Sequence, residues 1–300
     1  MELIVFIKCS GPNVNTDNLK DTLLSFHQKN KDVDYKFYLV IDAQLLNFVN
    51  NLLLNEIGWD KVLKIELAGS NTWPQDFNIF FEQYKDAAEW LLISHDDTLY
   101  ITDNWFKEMI KPVLHIQESI GWMTSTNEAP TLQGRPDYGP RPGHHKDHEN
   151  WPWMFDLHNQ SLENRDLPKK SVMVHGVFSC VMLIPMKSMK IVGPCENWSL
   201  YTMLIDEDWS LRALQNNLKN VWVPNVKHLH WLRPQSRKVL NRYEQECHQK
   251  FENKWGYKTG KKQGPQGCSI DINDFREQYK DTLIPWSSYR NSYDWDYIDE

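Results

Sequence analysis

The first hundred residues alternate short apolar runs with apolar positions at helical spacing. Leu3 to Ile7 is an apolar, β-rich run that ends in the loop Gly11-Pro12-Asn13. Thr16-Asp17 can cap a helix that carries Leu19, Leu23, Leu24 and Phe26 on one side. Tyr35 to Ile41 reads as a second strand ending at Asp42, Ala43 to Ile57 as a helix, and Val62 to Leu67 as a third strand. A helix from about Pro74 to Ala88 leads to a fourth strand, Trp90 to Ile93, which runs into Ser94-His95-Asp96-Asp97. Asp103 to Leu114 predicts another helix and Ser119 to Thr124 another strand. The pattern then stops. From Ser125 to Lys170 the chain is rich in Pro, Gly, His, Asn and Asp, a length of loop that usually carries function or is disordered. Order returns with the apolar run Val172 to Ile184, a helix at Ile205 to Asn216, a strand at Val221 to Val223 and a polar helix from Ser236 to about Lys254. The tail from Gly256 to Glu300 is weakly patterned.

This alternation predicts an α/β fold with a mostly parallel central sheet flanked by helices. In such sheets ligands bind beyond the carboxyl ends of the strands. Asp42 and the pair Asp96-Asp97 both occupy such ends. Two adjacent carboxylates delivered by a buried strand repel each other unless a cation or solvent intervenes, and hard cations favour oxygen ligands. The competing reading is a helix cap, with Asp97 or Asp103 starting the next helix. A second acidic group, Asp206-Glu207-Asp208, opens a helix after an aromatic loop around Trp198. Acids there suit the helix dipole, and one lining a pocket can act as a general base. His228 and His230, two residues apart on an extended segment, share one face, and a strand-end histidine can complete a carboxylate metal site. The loop cluster His144-His145-Lys146-Asp147-His148 lacks a matching Cys or His group and reads as solvated.

Composition narrows the class. The chain has 300 residues, enough to bury a large core without disulfides. The net charge of −7 disfavours bulk nucleic-acid binding. Five cysteines, none in a C-x-x-C pair, suggest reduced thiols and a cytoplasmic setting. The opening apolar run is too short for a signal peptide, and no segment approaches the roughly 20 apolar residues of a bilayer span. Membrane attachment would need a partner or a surface helix.

Taken in order, LIVFIKCSGPN, YLVIDAQ, LLISHDDTLYITDNWFKEMI, VHGVFSCVMLIPMKSMKIVGPCEN, DEDWSLRALQNNLKNVWVPNVKHLHW and SRKVLNRYEQECHQKFENKWG resemble glycosyltransferase family 2 and its GT-A relatives. The likeness covers residues 1–256, divided as a nucleotide-sugar half (1–124), an inserted acceptor-side loop (125–170) and an acceptor and catalytic half (171–256), followed by an extension (257–300). It implies a GT-A, nucleotide-diphospho-sugar transferase fold. It implies an inverting, metal-dependent transfer from a nucleoside-diphosphate sugar, UDP first, to a glycan, lipid-linked or other hydroxyl acceptor. Lys8, Cys9, Asp42, Asn78 and Asp96 would contact the donor, and Asp96, Asp97 and His230 would hold Mn²⁺ or Mg²⁺. Asp208 would be the general base with Glu207 beside it, and Trp151, Trp153 and Trp198 would stack on sugar. The alignment puts Ser94 where the DxD motif has its first acid, leaving Asp96 and Asp97 to carry that motif. Alternatives are a catalytically degenerate GT-A domain that binds sugar or protein, and a sugar nucleotidylyltransferase. The latter is disfavoured because Lys8 to Asn13 lacks its Gly-rich basic loop.

Overall fold

Strand β1 (Leu3–Cys9) is buried on both faces, which is why its sequence is apolar without alternation. The computed structural model describes residues 1–11, 14–127, 170–174, 177, 180–197, 205–230 and 244–255. Helix α1 (Thr16–Lys29) starts one residue earlier than its sequence suggests, because the Asn15 side chain accepts from the amides of Asp17 and Asn18. Strand β2 (Tyr35–Ile41) follows. The predicted helix after Asp42 breaks into a 3-10 turn (Ala43–Leu45), α2 (Leu46–Leu52) and a π turn (Leu53–Ile57) closed by Gly58 at φ 108°. Then come β3 (Val62–Leu67) and α3 (Trp73–Tyr84), whose Thr72 and Gln75 form a reciprocal capping box.

Strand β4 (Trp90–Ser94) is followed by a short strand absent from the sequence reading, β5 (Thr98–Tyr100). The predicted Asp103 to Leu114 helix is α4 (Trp105–Ile110) continuing into 3-10 turns (Lys111–Ser119). Strand β6 (Ile120–Asn127) precedes β7 (Val172–Val174) and β8 (Val181–Pro185). The apolar run over 172–184 thus holds two strands with different partners: β7 pairs with the later strand over Lys219–His230, β8 with β4 and β6. Helices α5 (Met186–Val192) and α6 (Ile205–Gln215) lead to β9 (Lys219–His230) and α7 (Glu244–Trp255).

Among the described residues nine strands form one sheet, in the order β3-β2-β1-β4-β8-β6-β9-β5, with β7 also on β9. The first four run parallel. The second half is mixed, with β8 antiparallel to β4 and β9 parallel to β6 but antiparallel to β5. One face packs Leu3, Val5 and Ile7 against Leu23 and Phe26 of α1. The other packs Ile4 and Phe6 against Phe77 and Phe80 of α3 and, further along the sheet, Trp122 and Trp209. Parallel β1, β2 and β4 deliver Cys9, Ile41 and Ser94 to one carboxyl rim.

Candidate metal centre and carboxylate group

The rim becomes a site through the turn after β4. The His95 amide donates to Cys180 O at 2.9 Å, which ties the turn to the start of β8. The chain then reverses into β5, whose Thr98 stands opposite His230 of β9. That register brings together His95, Asp97 and His230. His95 Nδ1 lies 3.1 Å from His230 Nε2, and the same Nε2 lies 3.1 Å from Asp97 Oδ1. One ligand atom from each of the three falls within 4.8 Å of the others. Asp97 and His230 are buried and His95 is half-buried. Two imidazole nitrogens and a carboxylate oxygen that converge, two of the three residues buried, suit a divalent transition cation. Asp96 is half-buried and is not one of the three. The sequence alignment on Ser94 hid His95; sliding the motif by one residue gives His95-x-Asp97, the spacing that the turn uses.

Beneath this group lies His228, fully buried. Its Nδ1 is 2.7 Å from Ser125 Oγ, and its Nε2 is 3.4 Å from Cys180 Sγ. Burial pushes its pKa down to about 3, helped by His230 and His95, so the ring is neutral. His228 and His230 do share a side of β9, but only His230 reaches the metal-type group.

The three acids of α6 divide between environments. Asp208 is buried, with Arg212 Nη2 and Lys254 Nζ each 2.8 Å from its carboxylate. Lys254 also reaches Glu196 at 2.6 Å, so the KWG end of α7 is pinned to α6 through Asp208. Glu207 has its pKa raised well above the usual carboxylate range, first by burial, then by the charge of Asp206 and a hydrogen bond shared with it. Asp206 lies near enough to Cys180 for its charge to act on that thiol. It and Asp97 are the carboxylates that add to the burial raising the Cys180 thiol. Asp208 acts instead on Cys195, beside Arg212. The division follows from helix geometry, since positions i and i+2 project roughly 200° apart. Sequence adjacency does not show which acid takes which environment.

On the donor side, Asp42 Oδ2 accepts from the Gly11 amide at 2.9 Å and closes the loop after β1. Lys8 Nζ pairs with Asp76 Oδ2 at 2.6 Å and donates to Asn71 O at 3.1 Å. Cys9 is fully buried. The Asn78 amide is engaged at both ends by the Cys195 backbone, donating to its O at 2.9 Å and accepting from its N at 2.8 Å. Asn78 thus ties α3 to the loop after α5. Trp151, Trp153, Trp198 and the His144 to His148 cluster lie outside the described residues, as does the chain from 256 to 300. Among the described residues no helix is long and apolar enough to cross a membrane.

No family model matches the sequence, and no curated protein resembles it at the sequence level. Solved structures do resemble the fold. A mannosyltransferase from Pyrobaculum calidifontis, PcManGT, in complex with GDP-Man and Mn²⁺ superposes with a TM-score of 0.57 at 11 % identity, over 93 % of this chain and 69 % of that one. GalNAc-T7 with UDP, GalNAc and Mn²⁺ superposes with a TM-score of 0.56 at 11 % identity, over 93 % of this chain and 54 % of that one. The chain thus spans about half the length of GalNAc-T7. At this identity the likeness speaks to architecture, and the architecture is that of the GT-A glycosyltransferases.

Proposed function

We propose that the protein transfers a sugar from a nucleoside-diphosphate sugar to an acceptor hydroxyl, with a divalent cation held by His95, Asp97 and His230. The observation that carries this reading is the convergence of those three side chains at the carboxyl rim of a GT-A sheet. When bound there, a divalent cation would offset the charge gathering on the departing diphosphate. The solved neighbours hold UDP or GDP-Man together with Mn²⁺, which makes Mn²⁺ the first cation to test and leaves UDP and GDP as the donors to compare.

The side chains of this chain divide the remaining work. Asp42, at the end of β2 and against Gly11, suits the nucleoside. Asp206 is our candidate for the base that takes the acceptor proton, in place of Asp208. Its charge, like that of Asp97, acts on the Cys180 thiol, whereas Asp208 is held between Arg212 and Lys254. Attack by the activated hydroxyl on the face opposite the leaving diphosphate inverts the anomeric centre. Asp96, Lys8, Asn78 and Cys9 have no assigned contact with the donor in this reading. The pairing of Lys8 with Asp76 and the burial of Cys9 suit a wall that shapes the pocket.

A thermal-shift screen of UDP and GDP sugars with and without Mn²⁺ tests the proposal. At least one sugar nucleotide is expected to raise the melting midpoint only when Mn²⁺ is present. With that donor, Asp206→Asn is expected to lower transfer by roughly 10²–10⁴-fold, the usual contribution of a general base, while donor binding persists. Absence of any nucleotide-dependent shift sinks the glycosyltransferase reading. Near-native transfer by Asp206→Asn removes Asp206 from it.

A further inference from the structure

A buried polar string runs directly under the cation ligands and joins four strands. Ser125 of β6 meets His228 Nδ1 at 2.7 Å. His228 Nε2 meets Cys180 Sγ at 3.4 Å. The Cys180 carbonyl then accepts from the His95 amide at 2.9 Å and from Thr98 Oγ1 at 3.5 Å. The string therefore starts at β6, crosses β9 two residues from His230, passes the start of β8, and ends on the turn that carries His95 and Asp97. Ser125, Cys180, Thr98 and His228 are each at most 1 % exposed.

A neutral imidazole has one donor and one acceptor nitrogen, and here both face a partner. Either proton arrangement fits: Ser125 donating to Nδ1 with Nε2–H toward the sulfur, or the thiol donating to Nε2 with Nδ1–H toward Ser125. In both, the ring plane of His228 is fixed from two sides. An apolar side chain at 228 would be cheaper to bury, so a polar string there calls for a reason. The neighbouring geometry supplies one. His230 follows His228 on the same face of β9, and Cys180 grips the His95 backbone with its carbonyl while gripping His228 with its thiol.

We propose that Cys180 and His228 are positioning residues that hold His95 and His230 in ligating register, with Ser125 orienting the His228 ring. This rests on the cation site proposed above. Neither residue touches the cation. Each sets the distance between two ligands 135 positions apart in the chain, by locking the β4–β5 turn to β9 through Cys180. Outer-shell partners of this kind commonly change metal affinity about 10–100-fold when removed.

The test uses the full chain, Mn²⁺ as probe, and two readouts: Mn²⁺ affinity by electron paramagnetic resonance and melting midpoint in EDTA. His228→Phe and Cys180→Ala are expected to weaken Mn²⁺ binding about 10–100-fold. Cys180→Ser, which keeps a donor and acceptor, is expected to restore affinity to within about threefold of native. Purely structural residues would lower the EDTA midpoint and leave Mn²⁺ affinity unchanged in whatever fraction folds. Native affinity in folded His228→Phe and Cys180→Ala overturns the proposal. Should those two fail to fold, Ser125→Ala removes a single hydroxyl and is expected to weaken Mn²⁺ binding at least threefold; unchanged affinity there overturns it equally. If the native chain binds no Mn²⁺ at all, the cation site itself fails and this inference falls with it. Native binding with insensitive variants sinks the inference alone.

Discussion

Glu207 sits on the first turn of α6 with its carboxyl buried, and burial is the main cause of its raised pKa. Asp206 adds charge and a shared hydrogen bond, and Asp208 adds charge from the same turn. The folded state therefore holds a proton on Glu207 that the unfolded chain releases above about pH 4.5. An acid whose folded pKa is raised costs stability as pH climbs above its unfolded value, and the cost vanishes below that value, where both states are protonated. Glu207→Gln keeps a neutral side chain that can donate to Asp206. It is expected to raise the melting midpoint at pH 8 by on the order of 2 °C or more, with the gain shrinking toward pH 4. Melting curves across that range check it; a gain that is flat with pH, or a loss at pH 8, excludes a protonated Glu207. The acidic character of this turn was legible in the sequence. Its partition was not: the i,i+4 pair of Asp208 with Arg212 is local, but Lys254 reaches Asp208 from α7, a contact no local pattern encodes.

At the scale of elements, β9 shows where sequence periodicity ends and packing takes over. Val221 to Val223 reads as a strand, yet β9 continues to His230. Pro224 lies at a register shift, where pairing with β6 passes from Ser125–Val223 to Thr126–Lys227. A proline tolerated at such a bulge interrupts the apolar run, so the extended segment carrying His228 and His230 did not read as one strand with Val221 to Val223. β5 was hidden for a different reason, since its three residues are a strand only because β9 lies beside them. The apolar strands β1, β2 and β4 were readable because burial on both faces leaves uninterrupted apolar runs. Gly121, at the start of β6, is fixed by the turn between α6 and β9. A Cβ there would stand 2.8 Å from Asn220 Oδ1 and 2.9 Å from Ala213 Cβ. Asn220 cannot easily yield, since it accepts from the Trp122 amide and donates to Ser210 O. Gly121→Ala is expected to destabilise the fold by about 1–3 kcal/mol, the usual range for overpacking. Urea unfolding measures it; a midpoint equal to native would mean that this junction is looser than its distances.

At the scale of the whole molecule, the sheet has a parallel half, β3-β2-β1-β4, and a mixed half that begins at β8. The α/β alternation of the first hundred residues made the parallel half and its rim legible. The mixed half was only partly so, because a sequence does not say which distant strand will lie beside β5. The candidate cation site draws on both kinds of information: His95 and Asp97 follow a strand that could be read, and His230 ends one whose length could not. A cation bound by these three residues joins the β4–β5 turn to the end of β9, and the unfolded chain has no such site. Binding to the native state alone adds stability by mass action, about 2.7 kcal/mol when the free ligand is 100 times its dissociation constant. Mn²⁺ at that excess is therefore expected to move the urea midpoint of the native chain upward. The shift should be absent in His230→Ala and in Asp97→Ala, which lose a ligand from opposite sides of the junction. His115→Ala, an exposed histidine on the 3-10 turns after α4, should retain the full shift. A Mn²⁺ shift that survives both ligand substitutions would place the cation elsewhere and detach the rim from the chemistry proposed for it.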